Sequence, residues 1–219
     1  VTVSDEPGLH VVRYRAGRMK GANLTLRAMN EVVISLVAAL RTRGYMAHRR
    51  YDYIVFYSPS IFYGPLVAYF RRRWKARSYL ILRDIFPDWA IHTGVLRKGP
   101  AYYLFKVFER IQYRAADVIG VETGRSYEYF KMTPFIGKVE LLRNWATTDR
   151  PGRVDRSYRR ELGLDDRVLF FYGGNMGVAQ DMDNILCLAQ RMSKHGNVHF
   201  LLVGEGSETE RLRKMVEGG

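Results

Sequence analysis

Short apolar runs alternate with longer stretches of helical spacing along most of this chain. Val11 to Arg15 predicts a short strand, and Leu24 to Leu40 predicts a helix that ends near Gly44. Tyr53 to Tyr57 reads as an apolar strand closed by Ser58-Pro59-Ser60, followed by a helix from about Phe62 to Arg73. Ser78 to Leu82 is a further strand that enters the loop Arg83 to Trp89. Pro100 opens a long helix to Arg114, because the first helical turn leaves its N–H groups unpaired and loses nothing to proline there. Asp117 to Val121, Ser126 to Lys131 and Val139 to Arg143 then predict strand, short helix and strand. The alternation predicts a right-handed βαβ series in a parallel sheet, with helices on both faces.

Asn144 to Arg160 breaks the pattern, being polar and carrying Pro151-Gly152. The expected organisation is therefore a Rossmann-like unit over 1–148, a linker over 149–165 with a short helix, and the start of a second α/β unit over 166–219. In that second unit the run Arg167 to Tyr172 stops on Gly173-Gly174-Asn175 and an amphipathic stretch runs from Asp181 to Met192. Val198 to Val203 then stops on Gly204-Glu205-Gly206. Strand, glycine turn, helix, strand, glycine turn is a pattern that collects backbone N–H groups and a helix dipole where strands end, which suits a phosphate. It points to a nucleotide or sugar-nucleotide site; the alternative is a tight turn that needs glycine for its backbone alone. Two strands with two helices leave bare apolar edges, so the second unit reads as incomplete.

Composition changes this picture in one respect, the charge. Among 219 residues, 47% of them hydrophobic, the formal net charge is +13, which favours phosphate-bearing partners: nucleic acid, anionic lipid or a nucleotide-linked sugar. Basic residues gather at Arg41, Arg43, Arg49 and Arg50, and again after the aromatic stretch Ile61 to Phe70. Tyr69, Phe70, Arg71, Arg72, Arg73 and Trp74, joined by Tyr102, Tyr103 and Phe105, are the candidate membrane-facing residues; a solvated helix end is the alternative. No apolar run reaches the length of a membrane span, and no secretory signal is visible. Cys187 is the single cysteine, so there is no disulfide framework, no CxxC and no zinc cluster; it reads as a packing residue in a cytosolic chain. A nucleic-acid-binding protein fits the charge but lacks a helix-turn-helix, zinc or RNP element. An NAD-dependent enzyme fits poorly, since no GxGxxG in this chain opens a helix with an acidic residue about 20 positions on.

Six motifs in order carry a resemblance. Arg83-Asp84-Ile85-Phe86-Pro87-Asp88, the helix containing Phe108 to Ile119, Val139 to Asn144, Phe171 to Gly177 and Leu202 to Gly206, together with the strand before Arg83, resemble family 4 retaining glycosyltransferases. The bacterial branch that builds O-antigen, capsule or exopolysaccharide repeats is the most similar, from about Gly8 onward. The resemblance implies a GT-B architecture, two Rossmann-like domains, the first for the acceptor and the second for a nucleotide-sugar donor, UDP-linked by expectation. It implies no bound metal and no cofactor, and transfer with retention, in which positioning and electrostatics replace a side-chain nucleophile. Gly173, Gly174 and Asn175 match the donor-phosphate loop, and Gly204, Glu205 and Gly206 a later loop near the nucleoside. Much of the family carries an Arg and a Lys where this chain has Asn175 and Gln180, so leaving-group stabilisation must lean on neutral donors and the helix dipole.

The resemblance also implies a lipid-linked saccharide acceptor and a cytoplasmic enzyme peripheral on the inner face of the bacterial membrane, with no nucleic acid. The family's paired glutamates and its first strand find no counterpart, so the chain is expected to be part of a longer enzyme, inactive alone; a non-catalytic α/β binding module is the alternative. On the acceptor side, Asp84 stands at a strand end, where a carboxylate orients a hydroxyl or merely caps a loop. Asp88 also suits a helix start, and Arg83 pairs with an acceptor phosphate or with Asp88. Glu122-Thr123-Gly124 lines the site or forms a plain turn, and Trp89 and Trp145 are expected in the core.

Overall fold

The computed structural model describes residues 1–17, 30–58, 60–149, 152 and 157–217, and the chain divides into two compact units, Val1–Ala146 and Thr147–Gly219. The first unit opens with an antiparallel hairpin, β1 (Thr2–Glu6) and β2 (Leu9–Arg13). Its turn is Pro7-Gly8, with Gly8 at φ +75°, the arrangement in which proline presets the first central residue and glycine supplies the left-handed second. The strand expected over Val11 to Arg15 therefore lies earlier and pairs with a neighbour outside the parallel sheet.

Helix α1 (Ile34–Ala47) runs straight through Gly44. The expected stretch 24–29 lies outside the described residues. A four-stranded, all-parallel sheet follows, in the order β3 (Tyr53–Ser58), β4 (Arg77–Leu82), β5 (Val118–Val121), β6 (Val139–Leu141). Between β3 and β4 come a 3-10 turn, Ile61–Tyr63, and α2 (Gly64–Trp74). Between β4 and β5 come α3 (Asp88–His92) and α4 (Pro100–Ala115), the latter with proline in its first turn as expected. Helix α5 (Gly124–Lys131) leads to β6, with Thr123 as its cap: the Thr123 hydroxyl accepts from the Ser126 N–H at 3.1 Å.

Register explains the core. Phe56, Leu80, Ile119 and Val139 form one rung across the four strands, and Leu80 and Ile119 are fully buried. Against this face pack Val67 of α2, Tyr113 and Ala115 of α4, and Phe130 of α5. A smaller cluster joins Ile34 of α1 to Ile61 and Phe62, with Phe86, Phe105 and Phe108 closing it. Helices α2, α4 and α5 pack on this face of the sheet; on the other, among the described residues, Tyr53, Val55 and Tyr57 of β3 are exposed. Helix α2 approaches α4 so closely that a Cβ on Gly64 would lie 2.8 Å from the Gln112 backbone.

The second unit carries α6 (Tyr158–Glu161), β7 (Val168–Gly173), α7 (Met182–Met192), β8 (Val198–Val203) and α8 (Thr209–Glu217). Strands β7 and β8 are parallel and in register from Val168↔Val198 to Gly173↔Val203. Met176, Met182 and Leu212 make its buried centre. Val168, Phe170 and Phe171 remain exposed, as expected of a two-stranded sheet with bare edges. Cys187 on α7 is exposed, which corrects its reading as a packing residue.

Candidate functional site

Parallel register ends β4, β5 and β6 on one rung, Leu82, Val121 and Leu141, so the residues that follow emerge side by side at one edge of the sheet. Arg83 bridges two of them there, donating to the Asn144 side chain and pairing with Glu122. It makes no pair with Asp88, the partner the sequence had offered. Asp84 stands beside this group with an exposed side chain. Its carboxyl is pushed above the usual range by partial burial and then by the Glu122 charge, with Arg83 pulling the other way. The edge thus presents two carboxylates, a guanidinium and an amide within one small surface.

Asp88 belongs to a different set. It accepts hydrogen bonds from the Tyr129 hydroxyl at 2.7 Å and the Tyr102 hydroxyl at 2.9 Å, and lies 3.2 Å from the Lys106 ammonium. Burial opposes its charge, but Tyr129, Tyr102 and Lys106 outweigh burial and hold the carboxyl below its usual range. Lys106 also meets the Glu109 carboxylate at 2.5 Å, and Glu109, 2% exposed, accepts from the Tyr113 hydroxyl at 3.2 Å. Burial raises Glu109 despite Lys106. With its lone pairs taken up in this way, Asp88 ties α3 to α4 and α5 and fixes the loop that carries Asp84. Tyr102 and Lys106 stand one helical turn apart and so reach the same carboxylate; that spacing was the available signal, and nothing local pointed it at Asp88.

In the second unit the two glycine loops close on one another. The Gly174 N–H donates to the Val203 carbonyl and the Met176 N–H to the Glu205 carbonyl, both at 2.9 Å. A Cβ on Gly204 would sit 1.7 Å from the Gly174 carbonyl oxygen, and one on Gly206 2.2 Å from that of Met176. Only glycine permits this approach, so Gly204 and Gly206 have a packing reason that needs no ligand. Asn175 and Gln180 meet: the Asn175 amide donates to Gln180 Oε1 at 2.8 Å, and the Gly177 N–H donates to the same oxygen at 3.2 Å. Tyr172 donates to the Asn175 carbonyl at 2.6 Å. Asp181, at φ +47°, turns the chain into α7 directly behind this loop. Gly173, Gly174, Asn175, Gln180, Gly204, Glu205 and Gly206 therefore form one contiguous edge, where β7 and β8 end and α7 begins.

A groove of about 570 Å³ lies along β8 between α7 and α8, lined by Ile185, Leu186, Phe200, Leu202 and Leu212. Its walls are mostly apolar and offer little to a diphosphate. The α2 cluster is divided. Tyr69 and Arg72 are exposed, and Arg73 donates to the Ala47 carbonyl. Arg71 is held on Asp117, Trp74 is buried and Phe70 stacks on it. Phe105 belongs to the core and Tyr103 faces solvent. Trp89 and Trp145, expected in the core, are 38% and 70% exposed; Trp89 only tilts against Phe86, and Trp145 follows β6 in a segment without regular structure. Among the described residues no group of His, Cys, Asp and Glu is placed to hold a metal ion, and no helix is long and apolar enough to cross a membrane.

Two units, each with a parallel sheet and polar groups gathered at strand ends, define an α/β protein, and two proteins similar to it in sequence are named as glycosyltransferases. The chain matches no protein-family model. It is 27% identical over 188 residues to an Escherichia coli K12 protein named as a colanic acid biosynthesis glycosyl transferase, WcaI, covering 78% of this chain and 45% of that protein. It is 27% identical over 141 residues to WbjE of Pseudomonas aeruginosa, named as a glycosyltransferase, covering 62% of this chain and 35% of WbjE. The chain spans less than half the length of the curated relatives it matches.

Proposed function

We propose that this chain is the acceptor-side unit and the beginning of the donor-side unit of a retaining, family 4 glycosyltransferase of GT-B architecture. The enzyme moves a sugar from a UDP-linked donor to a lipid-linked saccharide in bacterial surface polysaccharide synthesis, at the inner face of the membrane and without a bound metal. One observation carries the reading: Asn175 and Gln180, joined by their own hydrogen bond, set two neutral amides at the edge where β7 ends, directly ahead of α7. A diphosphate at that edge meets the positive end of the α7 dipole and the neutral donors of Asn175 and Gln180. Gln180 Oε1 is engaged by Asn175 and Gly177, which leaves its amide hydrogens to face the ligand. On the acceptor side Asp84 orients the incoming hydroxyl, and Arg83, fixed by Glu122 and Asn144, holds the edge in shape. Partial burial, and after it the Glu122 charge, keeps the Asp84 carboxyl more basic than an isolated one, which strengthens its hold on a hydroxyl proton.

The test is a transfer assay on the natural protein as produced in its own cell, with a panel of labelled nucleotide sugars and a polyprenyl diphosphate saccharide. Labelled lipid product, with the donor's anomeric configuration kept by NMR, is the expected result. Asp84→Asn lowers transfer by about 10²-fold while donor binding is unchanged. Absence of transfer from every nucleotide sugar, with an intact mass equal to that of this chain, would move the assignment to a non-catalytic binding module.

A further inference from the structure

The outer face of α4 carries no acid. From Val95 to Arg114 the chain holds a single carboxylate, Glu109, and it is turned inward onto Lys106 and Tyr113. Tyr103, Leu104 and Val107 are 64%, 49% and 53% exposed. At about 100° per residue, Tyr103, Val107, Arg110 and Arg114 fall on one stripe with Leu104 along its border. Arg110 and Arg114 are exposed at its far end, and Arg97 and Lys98 are exposed just before its start. None of these four cations has an ion-pair partner among the described residues. An apolar patch with cations at both ends and no anion is complementary to a surface that is apolar inside and negatively charged at its rim.

We propose that this face of α4 docks on an anionic phospholipid surface. Tyr103, Leu104 and Val107 enter the headgroup boundary, and Arg97, Arg110 and Arg114 meet lipid phosphates. The flank of the same helix beside this stripe supplies Tyr102 and Lys106 to Asp88, so the docked face is fixed to the loop that carries Asp84. A lipid-linked acceptor would then emerge beside the residues proposed to receive it. In that respect the inference deepens the proposed function and rests on it. The surface differs from the α2 cluster that the sequence singled out, where Arg71 is consumed by Asp117 and Trp74 by the core.

Cosedimentation of the full chain with phosphatidylglycerol-rich and pure phosphatidylcholine vesicles tests it without donor or acceptor, so its failure is distinct from failure of the transferase reading. The expected result is binding to the anionic vesicles alone, weakened about tenfold by Leu104→Ser with Val107→Ser. Arg110→Gln with Arg114→Gln weakens it by a similar factor and flattens its salt dependence. Arg191→Gln on α7 serves as the charge control and leaves binding unchanged. All four substituted positions in α4 are exposed, so circular dichroism and melting should match the parent. Equal binding to both vesicle types, no binding to either, or indifference to both α4 variants would overturn the proposal. Tighter binding to nucleic acid, unaffected by the Ser variants, would overturn it in favour of a polyanion surface.

Discussion

At the scale of single residues, two glycines separate packing from propensity. Gly204 lies where a Cβ would strike the Gly174 carbonyl, so Gly204→Ala forces the two loops apart and should cost about 1–3 kcal/mol in urea unfolding. Gly44, inside α1, has nothing within 4 Å of a built Cβ, and Gly44→Ala should stabilise by about 0.5–1 kcal/mol in the same experiment. Asp88 and Glu109 make a second pair of opposites. Asp88 is held below its usual range, so its contribution is present above the unfolded carboxyl value of about 4 and is lost as pH falls through the depressed folded value. Glu109 is held above its range, so its contribution is present below the unfolded value and is lost as pH rises through the raised folded one. Melting temperature measured against pH should therefore show a shallower acid limb in Asp88→Asn and a shallower limb on the rising side in Glu109→Gln. Identical pH profiles for both variants and the parent would contradict this assignment of the buried network.

Secondary-structure elements are where the sequence spoke most clearly. The runs at Tyr53, Ser78, Asp117 and Val198 are strands within a residue of where their apolar patterns place them, because short runs of β-branched, aromatic and aliphatic residues bounded by turn residues favour the extended chain. The hairpin at the start was half legible: the run at Val11 predicted its second strand two residues late, and Thr2–Glu6 has no apolar run to predict the first. Helix α1 continues through Gly44 because the loss of one side chain costs less than ending a helix packed on α2. Exposure was the least legible property. Trp74 and Trp145 have the same intrinsic preference, and only their position decides that one fills the core beside Phe70 while the other stands outside it. Helix α5 offers a test at this scale: Thr123→Ala removes its cap and should cost about 1 kcal/mol, while Thr123→Ser should be nearly silent in chemical denaturation.

For the molecule as a whole, the α/β class and the glycine loops were readable, since alternation and loop chemistry are local. The groupings at the strand edges were not. Arg83, Glu122 and Asn144 come from three strands and meet only because parallel register ends those strands on one rung. Asn175 and Gln180 were singled out for the charges they lack, and their mutual hydrogen bond became visible only in three dimensions. In the proposed enzyme a nucleoside diphosphate sugar is held where β7 and β8 end. Hydrogen–deuterium exchange of the natural protein with and without saturating UDP tests it most directly. Protection confined to the Gly173–Gly177 and Gly204–Gly206 loops and the first turn of α7 is the predicted result. Protection elsewhere, or none, while UDP is bound would contradict it.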